Sequence, residues 1–364
     1  MIDISLRDFL SLPESERVPY IKDYAVLYAQ QFDRSQLDYF CRLADACRYI
    51  HKHAEGANFM ATLLAHRIAL NFFVQPSSRT FLSFNTAQAY LGMSRMSLRD
   101  VKISSISKGE TLEDSVRTFL SYVDLVVMRH HDEEAAARAF WIAMKANRRL
   151  TIKDEERPIP IISGGSGAKQ HPTQALLDIY TLQKSFERVG GIDGKKLMLV
   201  GDLKRGRTVR SLSYLMKNYQ NVELLFAAPE RYQMLDDILM FLQQHGIPYR
   251  KLSSIDEGLP EADAIYMTRI QDEWDHKEAG AEHEKAHGDF VFRVEHLARM
   301  KPDCYLLHPL PKRDEIAEEL DYIDDRRIVY WRQERNGMWM RVAIIARLFR
   351  ADTDILAMAA KLGI

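Results

Sequence analysis

Ser-Ser-Arg-Thr at residues 77 to 80 sets two hydroxyls, a guanidinium and a third hydroxyl behind Pro76, between an apolar run and an amphipathic one. Ser77 or Ser78 can cap a helix that starts here. The unpaired N–H groups of the first turn and the positive end of the helix dipole would then make an anion site. Arg79 adds a planar fork suited to phosphate oxygens, and Thr80 another donor. An ordinary helix cap beside a surface arginine uses the same residues, so this stretch alone leaves both readings open. It is no Walker loop, because the chain lacks that glycine and lysine spacing, and "VGDLKRGRT" lacks the glycines of a dinucleotide site.

Lys108, Arg129, Arg207 and Arg269 lie near the ends of predicted strands or in polar loops. In a chain whose formal net charge is -1, their convergence would need anionic compensation, most simply from a polyanionic substrate. His171 and Gln174 in "HPTQ" stand where a helix should begin, and a neutral imidazole there can donate to a carbonyl oxygen. "HEKAH", His283 to His287, matches the zinc-protease pattern H-E-x-x-H. That pattern needs a rigid helix with an apolar back, whereas its flanks here are polar and bounded by Gly280 and Gly288. A charged loop is the expectation, and no metal site.

The elements that must position these groups alternate. "RIALNFF", "VDLVVMRH", "IPIISGG", "KKLMLVGDL", "VELLFAAP", "DAIYMTRI", "CYLLHPLP" and "RIVYWRQ" read as buried strands, with amphipathic stretches between most of them. Such alternation predicts parallel sheets covered on both faces, hence an α/β fold of two doubly wound parallel-sheet domains joined by helices. The expected division is an N-terminal extension over 1–30, partly helical, one domain over 31–175 with 340–364, and a second over 176–339. In open parallel sheets ligands bind beyond the carboxyl ends of the strands, and the polar clusters follow the apolar runs there.

With 364 residues, 46% hydrophobic and 28% charged, the chain is ordinary for a soluble protein with sizeable cores. The near-neutral balance predicts neither nucleic acid nor anionic membrane as a partner. The N-terminus has no signal-peptide pattern, and no apolar stretch approaches a membrane span. Cys41, Cys47 and Cys304 are too few for a disulfide framework and suggest a reducing compartment, the cytoplasm.

The clusters, in this order and from about residue 35 onward, resemble the transcarbamylase family. "PSSRT" resembles its carbamoyl-phosphate loop, "SSISKGETLEDS" its mobile serine-lysine loop, and "VMRH" and "HPTQALLDIYT" its next two signatures. "GDLKRGRTVRSL", "YMTRIQDE" and "HPLPKRDEI" resemble the signatures of the acceptor side, and "HPLP" with "TRIQ" favours aspartate as acceptor. The resemblance implies transfer of a carbamoyl group from carbamoyl phosphate to L-aspartate, giving N-carbamoyl-L-aspartate and phosphate in pyrimidine biosynthesis. It implies that Ser77, Ser78, Arg79 and Thr80 hold the phosphate. Thr80, Arg129 and His171 would address the carbamoyl oxygen, and Gln174 the carbamoyl nitrogen. Arg207, Arg269 and Gln271 would bind the aspartate carboxylates, and Leu310 and Pro311 would pass backbone near both substrates through a cis peptide. Ser104 and Lys108 would enter the neighbouring subunit's site, so a homotrimer is implied. No cofactor is required, since carbamoyl phosphate is already activated. Whether a regulatory or pathway partner binds stays open.

Three positions depart from the family: Gln75 replaces a glutamate, Phe81 an arginine, and Trp274 a commonly basic residue. Joint loss of an acid and a base avoids leaving one charge unpaired. Trp274 is expected to pack across the domain cleft instead; a merely variable loop is the alternative. A transcarbamylase for another amino acid, or a carbamoyl-phosphate-binding relative without turnover, also stays open.

Overall fold

The computed structural model describes residues 3–21, 23–99, 109–167, 169–270 and 288–364. The chain divides into two compact units: unit 1 is Met1–Leu176 with Gly337–Ile364, and unit 2 is Leu177–Asn336. Ser104, Lys108, Gln271, Trp274 and the His283–His287 stretch lie outside the described residues.

Unit 1 is built on a parallel sheet of β1 (Ala25–Val26), β2 (Ile68–Phe73), β3 (Ser94–Leu98), β4 (Leu125–His130) and β7 (Ile161–Ser166), ordered β1-β7-β4-β2-β3. Leu125, Val126, Val127, Met128, Ile161 and Ile162 are all buried, as continuous apolar strands are when helices cover both faces. β3 is the exception: its "SRMSL" is largely exposed at the sheet edge. A small antiparallel hairpin, β5 (Leu150–Ile152) with β6 (Glu155–Arg157), turns through Lys153 and Asp154, both at positive φ.

The first residues are helical in two short pieces, α1 (Leu6–Ser11) and α2 (Glu14–Ile21). Ser5 caps α1 by accepting from the Asp8 N–H at 3.1 Å. The fully buried Phe9 packs against Phe140 at 6.2 Å between ring centres, and the Trp141 indole donates to the Ile4 carbonyl at 3.2 Å. α3 (Arg34–Ile50) starts at Asp33, whose carboxylate accepts from the Gln36 N–H at 2.8 Å. α4 (Ala54–Leu63) follows, and α5 (Ser78–Tyr90) ends just before Gly92, which takes φ +80°. α6 (Leu112–Tyr122), α7 (Ala135–Lys145) and the start of α8 (Pro172–Phe186) complete the crossovers.

Unit 2 repeats the plan with β8 (Lys196–Val200), β9 (Glu223–Ala227), β10 (Tyr249–Leu252), β11 (Ala264–Met267) and β12 (Tyr305–Leu307), all parallel and ordered β10-β9-β8-β11-β12. Its core joins Met198, Val200, Leu225, Ile265, Met267 and Leu306. The expected fold class is therefore what the chain adopts.

One expected strand is not a strand. In "RIVYWRQ" only Ile328 forms an isolated parallel bridge, to Leu306, and a helix begins at Tyr330 and runs to Leu348. The Gln333 N–H donates to the Val329 carbonyl at 2.8 Å, so the first helical hydrogen bond claims the middle of the apolar run. Among the described residues no helix is long and apolar enough to cross a membrane.

Candidate active site

In unit 1 the chain goes from β2 to β3 on one side of β2 and then to β4 on the other, so the order of connections reverses between β2 and β4. A crevice opens at such a switch point, beyond the carboxyl ends of the strands. Ser77 to Thr80 follow β2 into that place, and Arg129 is the penultimate residue of β4. Phe73 and Arg129 are in register, and the N–H groups of Val74 and Gln75 both donate to the Arg129 carbonyl, at 2.9 and 3.2 Å. The hydroxyl-rich loop is thus held by the backbone of Arg129.

Ser77 stands at the N-cap of α5 with extended φ -165°, but its side chain makes no capping hydrogen bond. The capping role expected for it is absent. The Ser77 carbonyl accepts from the Phe81 N–H at 3.3 Å and so starts the helix, whose first turn is the place where a helix can hold an anion. Thr80 is buried, as is Arg129, whose Nη1 donates to the Gly164 carbonyl at 2.8 Å. A Cβ on Gly164 would come within 3.5 Å of the Phe73 ring and 3.6 Å of the Thr80 methyl, so β2, β4, β7 and α5 close tightly around these groups. Phe81, next to Thr80, faces inward and meets Phe73 edge-on at 5.5 Å.

β7, next to β4 in the sheet, leads to His171. The His171 carbonyl accepts from the N–H groups of Gln174 and Ala175 at 3.0 and 3.1 Å and so starts α8. Both His171 and Gln174 are buried, and Thr173 Oγ1 lies 3.5 Å from His171 Nδ1.

In unit 2 the connections reverse between β8 and β11, which are neighbours in the sheet. Arg207 opens α9 (Arg207–Leu215) beyond β8, and Arg269 follows β11. Burial pushes the Arg207 guanidinium down to about 10, still charged at neutral pH and poorly hydrated. Gly201 takes φ +110°, and a Cβ on it would stand 2.2 Å from the Thr268 carbonyl. The Thr268 N–H and hydroxyl both donate to the Val200 carbonyl at 2.8 Å, so the two arginine-bearing loops leave the sheet in contact.

β12 lies beside β11 and leads to His308, Leu310 and Pro311, and the Leu310–Pro311 peptide is cis. Sequence reasoning missed what holds this turn. The His308 Nδ1 accepts from the Leu310 N–H at 2.8 Å, and its Nε2 donates to Glu315 at 2.8 Å. Burial alone would raise the Glu315 carboxyl, but His308 and the Arg313 N–H outweigh it and lower it. The His308 N–H donates to Gln333, whose amide donates to the buried Asp178, which also accepts from the Tyr266 hydroxyl at 2.8 Å. Asp178 and Gln333 fall within "HPTQALLDIYT" and "RIVYWRQ", but neither stretch announces their pairing; the signal is a polar residue on an otherwise apolar helix face.

Hydroxyl and guanidinium groups at the switch point of one parallel α/β unit, and guanidinium groups at that of the other, suit an enzyme that handles anionic substrates. Residues 25–184 match the model of the aspartate/ornithine carbamoyltransferase carbamoyl-P binding domain, and 193–348 that of the Asp/Orn binding domain. Aspartate carbamoyltransferase 1, chloroplastic, of Pisum sativum is 38% identical over 321 residues, 88% of this chain and 77% of that protein. Aspartate transcarbamoylase of Trypanosoma cruzi in complex with carbamoyl phosphate superposes with TM-score 0.77 at 34% identity, covering 90% of this chain and 96% of that one. The same enzyme with carbamoyl aspartate and phosphate gives TM-score 0.76 at 35% identity over 92% and 98%. The chain belongs to the aspartate/ornithine carbamoyltransferase family. Its activity is carbamoyl transfer to aspartate, a step of pyrimidine synthesis.

Proposed function

We propose that the reaction runs on the residues singled out above. Ser77, Ser78, Arg79 and Thr80 hold the phosphate of carbamoyl phosphate at the N-terminus of α5. Thr80, Arg129 and His171 donate to the carbamoyl oxygen, and Gln174 accepts from the carbamoyl nitrogen. Arg207, Arg269 and Gln271 take the two carboxylates of aspartate, with the backbone of Leu310 and Pro311 beside the substrates. The neutral α-amino nitrogen attacks the carbamoyl carbon, and negative charge grows on the carbamoyl oxygen, where preorganised donors stabilise it. The C–O bond to phosphate then breaks, phosphate leaves with the electron pair, and the amine proton passes to it.

The observation that carries this reading is Arg129. Its carbonyl anchors the hydroxyl-rich loop while its buried guanidinium is oriented by Gly164. One residue therefore couples phosphate holding to oxyanion stabilisation. The test is phosphate release from carbamoyl phosphate with aspartate or ornithine as acceptor. Turnover with aspartate is expected; turnover with ornithine alone would overturn the acceptor assignment, and binding without turnover would favour a non-catalytic relative.

A homotrimer in which Ser104 and Lys108 serve the neighbouring chain's site belongs to the same proposal. Mixing Lys108→Ala chains with His171→Ala chains should then restore part of the activity that each has lost. A cytoplasmic setting suits the three buried thiols, Cys41, Cys47 and Cys304. Cell fractionation tests it, and recovery from an organelle such as the plastid would overturn it.

A further inference from the structure

The residue before His171 is held by the N-terminal segment of unit 1. Gln170 is buried, and its side-chain oxygen accepts from the Ala29 N–H at 2.8 Å. Its amide nitrogen donates to the Gln30 side-chain oxygen at 2.7 Å and to Glu14 Oε2. Gln30 donates in turn to the same Glu14 oxygen at 2.6 Å. One carboxylate oxygen of α2 therefore gathers two amides, one of them on the residue next to His171.

The neighbouring groups act in the same sense. The Gln170 carbonyl accepts from the Ser166 N–H at 3.3 Å, closing the loop onto the end of β7. Lys169 lies 3.2 Å from Glu133 and 3.7 Å from Glu134. Glu134 pairs with the buried Arg17, which donates to the Tyr28 hydroxyl at 2.8 Å and, through Nε, to the Leu12 carbonyl at 2.9 Å. A surface tether needs no buried amide and no carboxylate kept half out of water. Such groups are costly unless fully satisfied, and satisfied networks fix a single geometry.

We infer that Glu14 and Gln170 are positioning residues for His171, so that the N-terminal segment sets the donor that faces the carbamoyl oxygen. The inference rests on the assignment of His171 made above. With the Gln170 side chain held by Glu14, Gln30 and Ala29, and its carbonyl held by Ser166, the backbone entering His171 has little freedom. A donor that loses such support drifts from the reacting oxygen, and displacements of this order cost one to two orders of magnitude in rate.

The test compares full-length Glu14→Ala, Glu14→Gln and His171→Ala, assayed below the thermal transition of all three. Glu14→Gln keeps an acceptor oxygen for both amides; Glu14→Ala does not. Expected is a loss of about tenfold or more in kcat for Glu14→Ala, with KM for aspartate within about twofold of the unmodified chain and near-native kcat for Glu14→Gln. If Glu14→Ala lowers only Tm, or if Glu14→Gln is as impaired as Glu14→Ala, the positioning role is overturned while the site stands. If His171→Ala turns over normally, the site assignment itself fails and the inference falls with it.

Discussion

The Arg99 guanidinium lies 4.4 Å from the centre of the Phe81 ring, and Phe81 in turn meets Phe73 edge-on. The family resemblance would place an arginine at the position of Phe81. Here the helix contributes a buried ring, and the positive charge is laid on it by the residue that follows β3. A cation is thus kept beside α5 without one being buried in it. Arg99→Ala should cost about 0.5–1 kcal/mol, the range of an exposed cation–π contact. Phe81→Arg should cost about 3 kcal/mol, by removing a packed ring and burying a charge. The double change should cost less than the sum, because deleting Arg99 relieves like-charge repulsion. Urea unfolding of the single and double variants measures all three.

Arg129→Met removes the buried fork while roughly keeping its volume. The expected result is a fall in kcat of about 10²–10³, the size found when one donor to a developing oxyanion is deleted. Steady-state kinetics with saturating substrates reads it. A change confined to KM would mean that Arg129 only binds the ground state.

Arg207→Lys preserves charge but replaces a fork with a point charge. KM for aspartate should rise about tenfold or more, with carbamoyl-phosphate binding unchanged, because the fork's paired donors match a carboxylate. Calorimetric titration of each substrate separates the two effects.

Glu315 predicts a pH dependence. Its folded-state carboxyl is lowered from the usual 4.5, despite the opposing effect of burial, by its bonds to His308 and the Arg313 N–H. A lowered carboxylate contributes stability that is fully present above the unfolded value, and that stability is lost as pH falls through the folded value. Thermal stability should therefore drop below about pH 4.5, and Glu315→Gln should flatten that part of the curve. Glu315→Ala should cost about 1–3 kcal/mol at neutral pH by leaving the buried His308 donor unmatched. Scanning calorimetry from pH 3 to 7 checks both.

The strands were legible where apolar residues run unbroken, as in Leu125–Met128 and Lys196–Val200, because parallel strands buried on both faces leave that pattern. The edge strands β3 and β10 were not. β3 has four exposed residues in five, and β10 has Arg250 and Lys251 pointing to solvent, the charged dress of a protected edge. "RIVYWRQ" misled because a short β-branched and aromatic run has no period of its own; of the polar residues that bond Asp178 and Thr181, Gln333 is its last and Asn336 lies beyond it. Of the site, the hydroxyl and arginine clusters could be read because their side chains are out of place for a core. Glu14, Gln170 and Glu315 could not, since each serves through a partner more distant in sequence or hidden in a turn.

The contact of Gly201 with the Thr268 carbonyl has a consequence for changing what the enzyme accepts. Because no side chain fits between the two strand exits, the backbones that bear Arg207 and Arg269 cannot be remodelled one at a time. Retargeting the acceptor is thus a matter of swapping side chains on a fixed frame: diversity introduced at 207 and 269 should be tolerated by the fold, whereas loop insertions at either exit should destabilise unit 2.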